Sequence, residues 1–224
     1  MKIFVDSANL ADIEESLERG FPCGITTNPS ILAKEERRDY RTHIRDIIAL
    51  LTKSDRPSLP LSVEVFATQP DEMIRQAEEF IEEFGDYDGL TVKVPVGWDE
   101  LRVIATLAER GIAVNATCAM ALNQAVMALG AGARYISLFW GRIRDTGYDA
   151  GSVVSDVRQL MDTSQSQSEI IVGSIRHLMD VNEAMLAGAH IVTVPPPFFP
   201  KMCSHPKTDE AVHQFVTEFA AWMG

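Results

Sequence analysis

Eight short β-rich runs alternate with amphipathic helical stretches along 224 residues, and no linker separates them. That alternation predicts one α/β domain, and the count of eight predicts a closed sheet: a single-domain (β/α)8 TIM barrel over residues 1–224. The strand runs are 2–6 (KIFVD), 24–27 (GITT), 61–66 (LSVEVF), 89–94 (GLTVKV), 112–117 (IAVNAT), 135–139 (YISLF), 169–173 (EIIVG) and 190–194 (HIVTV). Each lies beside Gly, Pro or polar residues, which bound strands.

The intervening segments carry helical spacing. In 71–84, Met73, Ile74, Ala77, Phe80, Ile81 and Phe84 share one face. Gly20, Gly111, Gly132 and Gly188 each follow a helical pattern, so they read as helix stops rather than phosphate cradles. Residues 54–60 (SDRPSLP) and 162–168 (DTSQSQS) read as surface loops. Residues 207–223 form a last helix with Val212, Phe215, Val216, Phe219, Trp222 and Met223 along one face, an apolar stripe that implies a homo-oligomer with this helix at the interface.

Bulk properties remove several function classes. The net charge of −12 disfavours a nucleic-acid partner. No apolar run is long enough to span a membrane, since Asn123 and Gln124 interrupt the best one. Three cysteines (Cys23, Cys118, Cys203) without a Cys-x-x-Cys pair fit a reducing cytoplasm. The five histidines show no metal-site spacing, so no metal is expected.

Side chains alternate across a strand. In 89–94, Leu90, Val92 and Val94 take the helix-facing side, which places Thr91 and Lys93 inside the barrel. A buried ammonium needs a carboxylate or a lowered pKa. Other strands supply candidates on the same inner side: Asp6, Glu64, Asn115 with Thr117, Ser137 with Phe139, and Ser174 after the seventh strand. Arg142 and Arg176 follow strands six and seven; barrels commonly bind phosphate in the loops beyond strands seven and eight, and guanidinium groups suit phosphate through forked hydrogen bonds. A lysine amine amid carboxylates suits nucleophilic attack on a ketone, giving an iminium that labilises an adjacent carbon–carbon bond.

The sequence resembles the small transaldolase family over nearly its whole length. The matching motifs are Phe4–Asn9 (FVDSAN), Gly24–Ser30 (GITTNPS), Val63–Val65 (VEV), Val92–Pro95 (VKVP), Asn115–Thr117 (NAT), Phe139–Arg142 (FWGR), Ser174–His177 (SIRH) and His205–Asp209 (HPKTD). The resemblance implies transfer of a dihydroxyacetone unit between sugar phosphates, with no metal or organic cofactor. Lys93 would form the Schiff base and Asp6 would take the C4 hydroxyl proton. Glu64 and Thr117 would relay protons through a water. Asn28, Asn115 and Ser174 would hold hydroxyls, and Arg142 and Arg176 the phosphate. Fructose 6-phosphate aldolases, close relatives, carry Gln and Tyr where Glu64 and Phe139 stand here. Small members assemble as decamers of two pentameric rings. The sequence departs from the family at Trp140, Leu178 and the run Pro195–Pro200 (PPPFFP). The bulk of Trp140 is expected to reshape the pocket on its acceptor side.

Overall fold

The computed structural model describes residues 1–224. Eight parallel strands close into a barrel in chain order: β1 (Lys2–Asp6), β2 (Ile25–Thr26), β3 (Leu61–Glu64), β4 (Leu90–Pro95), β5 (Val114–Ala119), β6 (Tyr135–Phe139), β7 (Glu169–Gly173) and β8 (Ile191–Val194). The pairing of Lys2 with Ile191 and of Val5 with Val194 joins the first strand to the last. The single (β/α)8 domain expected from the sequence is therefore present, with shifted boundaries. The second strand shrinks to two residues, and the fifth runs on to Ala119.

Helices cover the outside. They are α1 (Leu10–Glu18), α2 (Pro29–Leu32), α3 (Tyr40–Lys53), α4 (Pro70–Phe84), α5 (Glu100–Glu109), α6 (Leu122–Gly130), α7 (Trp140–Asp145), α8 (Ala150–Thr163), α9 (Leu178–Leu186), α10 (Phe199–Cys203) and α11 (Pro206–Met223). The α4 face packs as its spacing predicts, with Met73, Ala77, Phe80 and Phe84 buried against the sheet. The expected loop at 162–168 is shorter, because α8 continues to Thr163. Gly20, Gly111, Gly132 and Gly188 all take positive φ just after helices, as helix stops do. No helix is long and apolar enough to cross a membrane.

The barrel interior has two floors. On the lower, Phe4, Tyr135, Ile171 and Ile191 pack together as an apolar plug, with the buried Ser62 and Thr91 beneath Glu64 and Lys93. The upper, one strand step toward the C-terminal ends, is polar. It carries Asp6, Thr26, Glu64, Lys93, Asn115, Ser137 and Thr193. Alternation along each strand produces this: residues two apart share the inner face, so Phe4 and Asp6, or Tyr135 and Ser137, lie one above the other.

Helix α11 differs from the other helices of six or more residues, each of which buries at least one side chain. None of its 18 residues is buried, and Phe215, Val216, Phe219 and Trp222 are all more than half exposed.

Candidate active site

The polar floor opens into a cavity of about 400 Å³ at the C-terminal ends of the strands. Its lining includes Asp6, Asn28, Glu64, Lys93, Ser137, Phe139, Arg142 and Ser174. A hollow at the opposite end of the barrel is lined by Ser58, Gly89, Ile112, Arg134 and their neighbours. It contains no lysine or paired carboxylates, and barrel chemistry belongs to the C-terminal end.

Lys93 is at the centre. It is 4% exposed, and the strand register sets Glu64 and Asn115 directly beside it on β3 and β5. Its Nζ lies 2.9 Å from Glu64 Oε2 and donates to the Thr27 carbonyl oxygen at 2.8 Å. The ammonium thus has the partner its burial demands. Asp6 accepts a hydrogen bond from the Thr26 hydroxyl at 2.7 Å. Burial pushes its carboxyl above the usual carboxylate range; the Thr26 bond and the charges of Lys93 and Lys34 oppose that rise, while Glu64 adds to it. On the other side of Lys93, Ser137 Oγ donates to Asn115 Oδ1 at 2.7 Å, and Asn115 Nδ2 donates to Ser62 Oγ at 3.3 Å.

Thr117 is fully buried on the same face as Asn115. Its hydroxyl is the one buried side-chain polar atom without a hydrogen-bond partner. Asn28 Oδ1 caps α2 by accepting from the Ile31 amide at 3.0 Å, which ties its orientation to the β2–α2 turn. Ser174 follows β7 with φ 59°, a left-handed conformation uncommon for a residue other than glycine.

The arginines are not equivalent. Arg142 lines the cavity. Arg176 does not: its guanidinium forks onto Asp145 at the end of α7, at 2.5 and 2.6 Å, and these bonds hold the Asp145 carboxyl below its ordinary range. The expectation for Trp140 is corrected. Helix α7 begins at this residue and turns its ring away from the cavity, where it is 2% exposed and donates from Nε1 to Asp180 at 3.2 Å. The ring therefore fills the space beneath α7 rather than the substrate space.

Cys118, Thr26 and Thr193 also line the cavity and were not among the candidates read from the sequence. Thr26 and Thr193 share a 2.6 Å hydrogen bond across the barrel seam. Cys118 reaches the cavity because β5 is irregular: its register against β6 shifts between Ala116 and Ala119, and Cys118 has φ 60°. Burial raises its thiol pKa, and the nearby Glu64 adds to the rise. No group of three His, Cys, Asp or Glu side chains is placed to hold a metal ion. The histidines serve the frame: His43 joins α3 to the Ala8 carbonyl at 2.6 Å, and His177 and His205 stand at the N-caps of α9 and α11.

A barrel with a buried lysine–glutamate pair and a second carboxylate at the mouth defines an enzyme of the Schiff-base aldol class. The sequence model of the family described as Transaldolase/Fructose-6-phosphate aldolase matches residues 3–223. The chain belongs to this family. It is 39% identical over 222 residues to a protein of Lactiplantibacillus plantarum named "Probable transaldolase", covering 99% of this chain and 98% of that one. Proteins of the same name from Syntrophomonas wolfei (37% over 219 residues, 98% of both chains) and Carboxydothermus hydrogenoformans (35% over 221 residues, 99% of both chains) are similar over the same extent.

Proposed function

We propose that the protein is a transaldolase that moves a dihydroxyacetone unit from a ketose phosphate to an aldose phosphate through an imine on Lys93. The observation that carries this reading is the single buried lysine at the cavity floor, 2.9 Å from Glu64. The amine attacks the donor ketone, and loss of water gives the iminium. Asp6 then removes the C4 hydroxyl proton. The C3–C4 electron pair flows into the iminium, leaving an enamine on Lys93 and releasing an aldehyde phosphate. An acceptor aldehyde reverses these steps, and hydrolysis frees the product.

Burial raises the Asp6 pKa, the direction that makes its carboxylate a stronger base. Glu64, beside the nitrogen, serves the proton transfers of imine formation. The uncommitted Thr117 hydroxyl is suited to hold the water used there. Asn28, Asn115, Ser137 and Ser174 surround the three-carbon unit with donors and acceptors. The phosphate lies against Arg142, and Arg176 joins it by exchanging its fork onto Asp145 for the phosphate oxygens.

Glu64 and Phe139 favour transfer over cleavage. Phe139 lines the cavity but offers no proton to the enamine, which therefore survives until an acceptor arrives. The test is glyceraldehyde 3-phosphate formation from fructose 6-phosphate with and without erythrose 4-phosphate. Transaldolase action requires the acceptor. Equal rates without it, with free dihydroxyacetone accumulating in step, would make the protein an aldolase.

We also propose that copies of the chain associate through α11. Helices in proteins draw most of their stability from packing an apolar face, and this one leaves its aromatic side chains exposed. A pentamer or decamer matches the assemblies that the family resemblance implies. With three free cysteines and an acidic surface, we assign the enzyme to the cytoplasm.

A further inference from the structure

The proposed phosphate site depends on two short pieces of chain. One is the first turn of α7, which carries Arg142. The other is the β7–α9 loop, residues 174–177, which carries Ser174 and Arg176. They pack closely: the Gly141 amide donates to the Ser174 carbonyl at 3.1 Å, and a Cβ on Gly141 would sit 2.6 Å from both that oxygen and Arg176 Nε.

One buried side chain outside the cavity ties the two together. Asp180, in the first turn of α9, is 1% exposed. Its Oδ2 accepts from the backbone N–H groups of Arg176 at 2.9 Å and His177 at 2.8 Å. Its Oδ1 accepts from Trp140 Nε1 at 3.2 Å and Arg144 Nη1 at 2.7 Å, both on α7. Each oxygen thus serves a different element. A helix cap requires only the first pair of bonds; the bonds to Trp140 and Arg144 add nothing to capping. They lock α7 to the loop.

We propose that Asp180 is a positioning residue for phosphate recognition. With Trp140 and Arg144 it fixes the backbone at Arg176 and His177, and so fixes where the Arg176 guanidinium stands relative to Arg142. The proposal rests on the reading that these two arginines hold the substrate phosphate. It implies a division of labour: phosphate binding depends on Asp180, while imine formation on Lys93 with a ketone lacking phosphate does not.

The test uses the full chain and two readouts. Inorganic phosphate affinity is measured by titration calorimetry. Lys93 imine formation is measured by borohydride trapping of dihydroxyacetone, which carries no phosphate. Asp180→Asn keeps the shape but replaces one acceptor oxygen with an NH2 group that faces N–H donors whichever way the amide turns. It is expected to weaken phosphate binding, and to raise KM for fructose 6-phosphate, about ten-fold or more while leaving dihydroxyacetone trapping unchanged. Trp140→Phe removes a single donor and is expected to act in the same direction by a smaller factor. Unchanged phosphate affinity in both variants, or trapping that falls in proportion with phosphate binding, would overturn the proposal. If Asp180→Asn does not fold, Trp140→Phe decides by the same two readouts. A wild-type enzyme that traps dihydroxyacetone but binds no phosphate would remove the arginine reading, and Asp180's role with it. A wild-type enzyme that binds phosphate but traps no ketone would remove the imine reading and leave Asp180 to be judged on phosphate affinity.

Discussion

Glu64→Gln removes the carboxylate that lies 2.9 Å from Lys93 Nζ, in a pair whose side chains are 5% and 11% exposed. At that distance and an effective dielectric constant of about 20, the gross attraction is roughly 6 kcal/mol. Desolvation of both charges offsets much of it. Taking away one partner nevertheless leaves the other charge buried and uncompensated, at a cost of about 3–5 kcal/mol. For a chain of this length each kcal/mol is worth about 2–4 °C, so Glu64→Gln lowers Tm by roughly 6–20 °C. The Lys93 bond to the Thr27 carbonyl survives and keeps the loss toward the lower end. Lys93→Met is costly for the mirror-image reason, since Glu64 is left behind. The double variant carries neither charge and loses less than the sum. A double-mutant cycle by urea denaturation, at one fixed protein concentration because association shifts apparent stability, should give a coupling of about 2–3 kcal/mol. A coupling below about 0.5 kcal/mol would mean that the two groups do not form the buried pair from which the site is argued.

Asp6 titrates above the ordinary carboxylate range because it is buried. Its folded pKa exceeds its unfolded one, so the unfolded chain gives up the proton first, and stability falls as pH rises from the ordinary carboxylate pKa through the folded value. Asp6→Asn escapes that loss: its Tm relative to wild type should climb across the same window, while activity collapses. A difference independent of pH would remove burial as the cause of the shift. Truncation before Asp209 deletes most of the exposed apolar face of α11 and should reduce the assembly size seen by light scattering. A full-length chain that is monomeric at micromolar concentration would refute the interface assignment.

The barrel and its central lysine were legible because strand alternation is a local property. Once Leu90, Val92 and Val94 face the helices, Lys93 has only the interior left, and the same rule places Asp6 above Phe4 and Ser137 above Tyr135. The rule failed where the backbone departs from regular pleating. The irregular end of β5 turns Cys118 into the cavity while Thr117 stays fully buried, and nothing in the composition of that run signals the shift. Loop geometry was equally hidden. The bulk of Trp140 points to a reshaped pocket on the acceptor side, but a helix beginning at that residue rotates the ring outward. Arg176 was expected beside Arg142; its fork onto Asp145 depends on the fold of α7 against the next loop, a contact across 31 residues of sequence. Asp180 carried no motif at all, and its four hydrogen bonds appear only once α7 and α9 are brought together.

The central claim is that Lys93 is the nucleophile. Incubation with fructose 6-phosphate and borohydride, followed by peptide mapping, tests it most directly. The account predicts a stable three-carbon adduct on Lys93 and loss of activity in step with labelling. It also predicts that Lys93→Ala, still folded, shows neither adduct nor turnover. Active enzyme that resists trapping, or an adduct on any other residue, would contradict it.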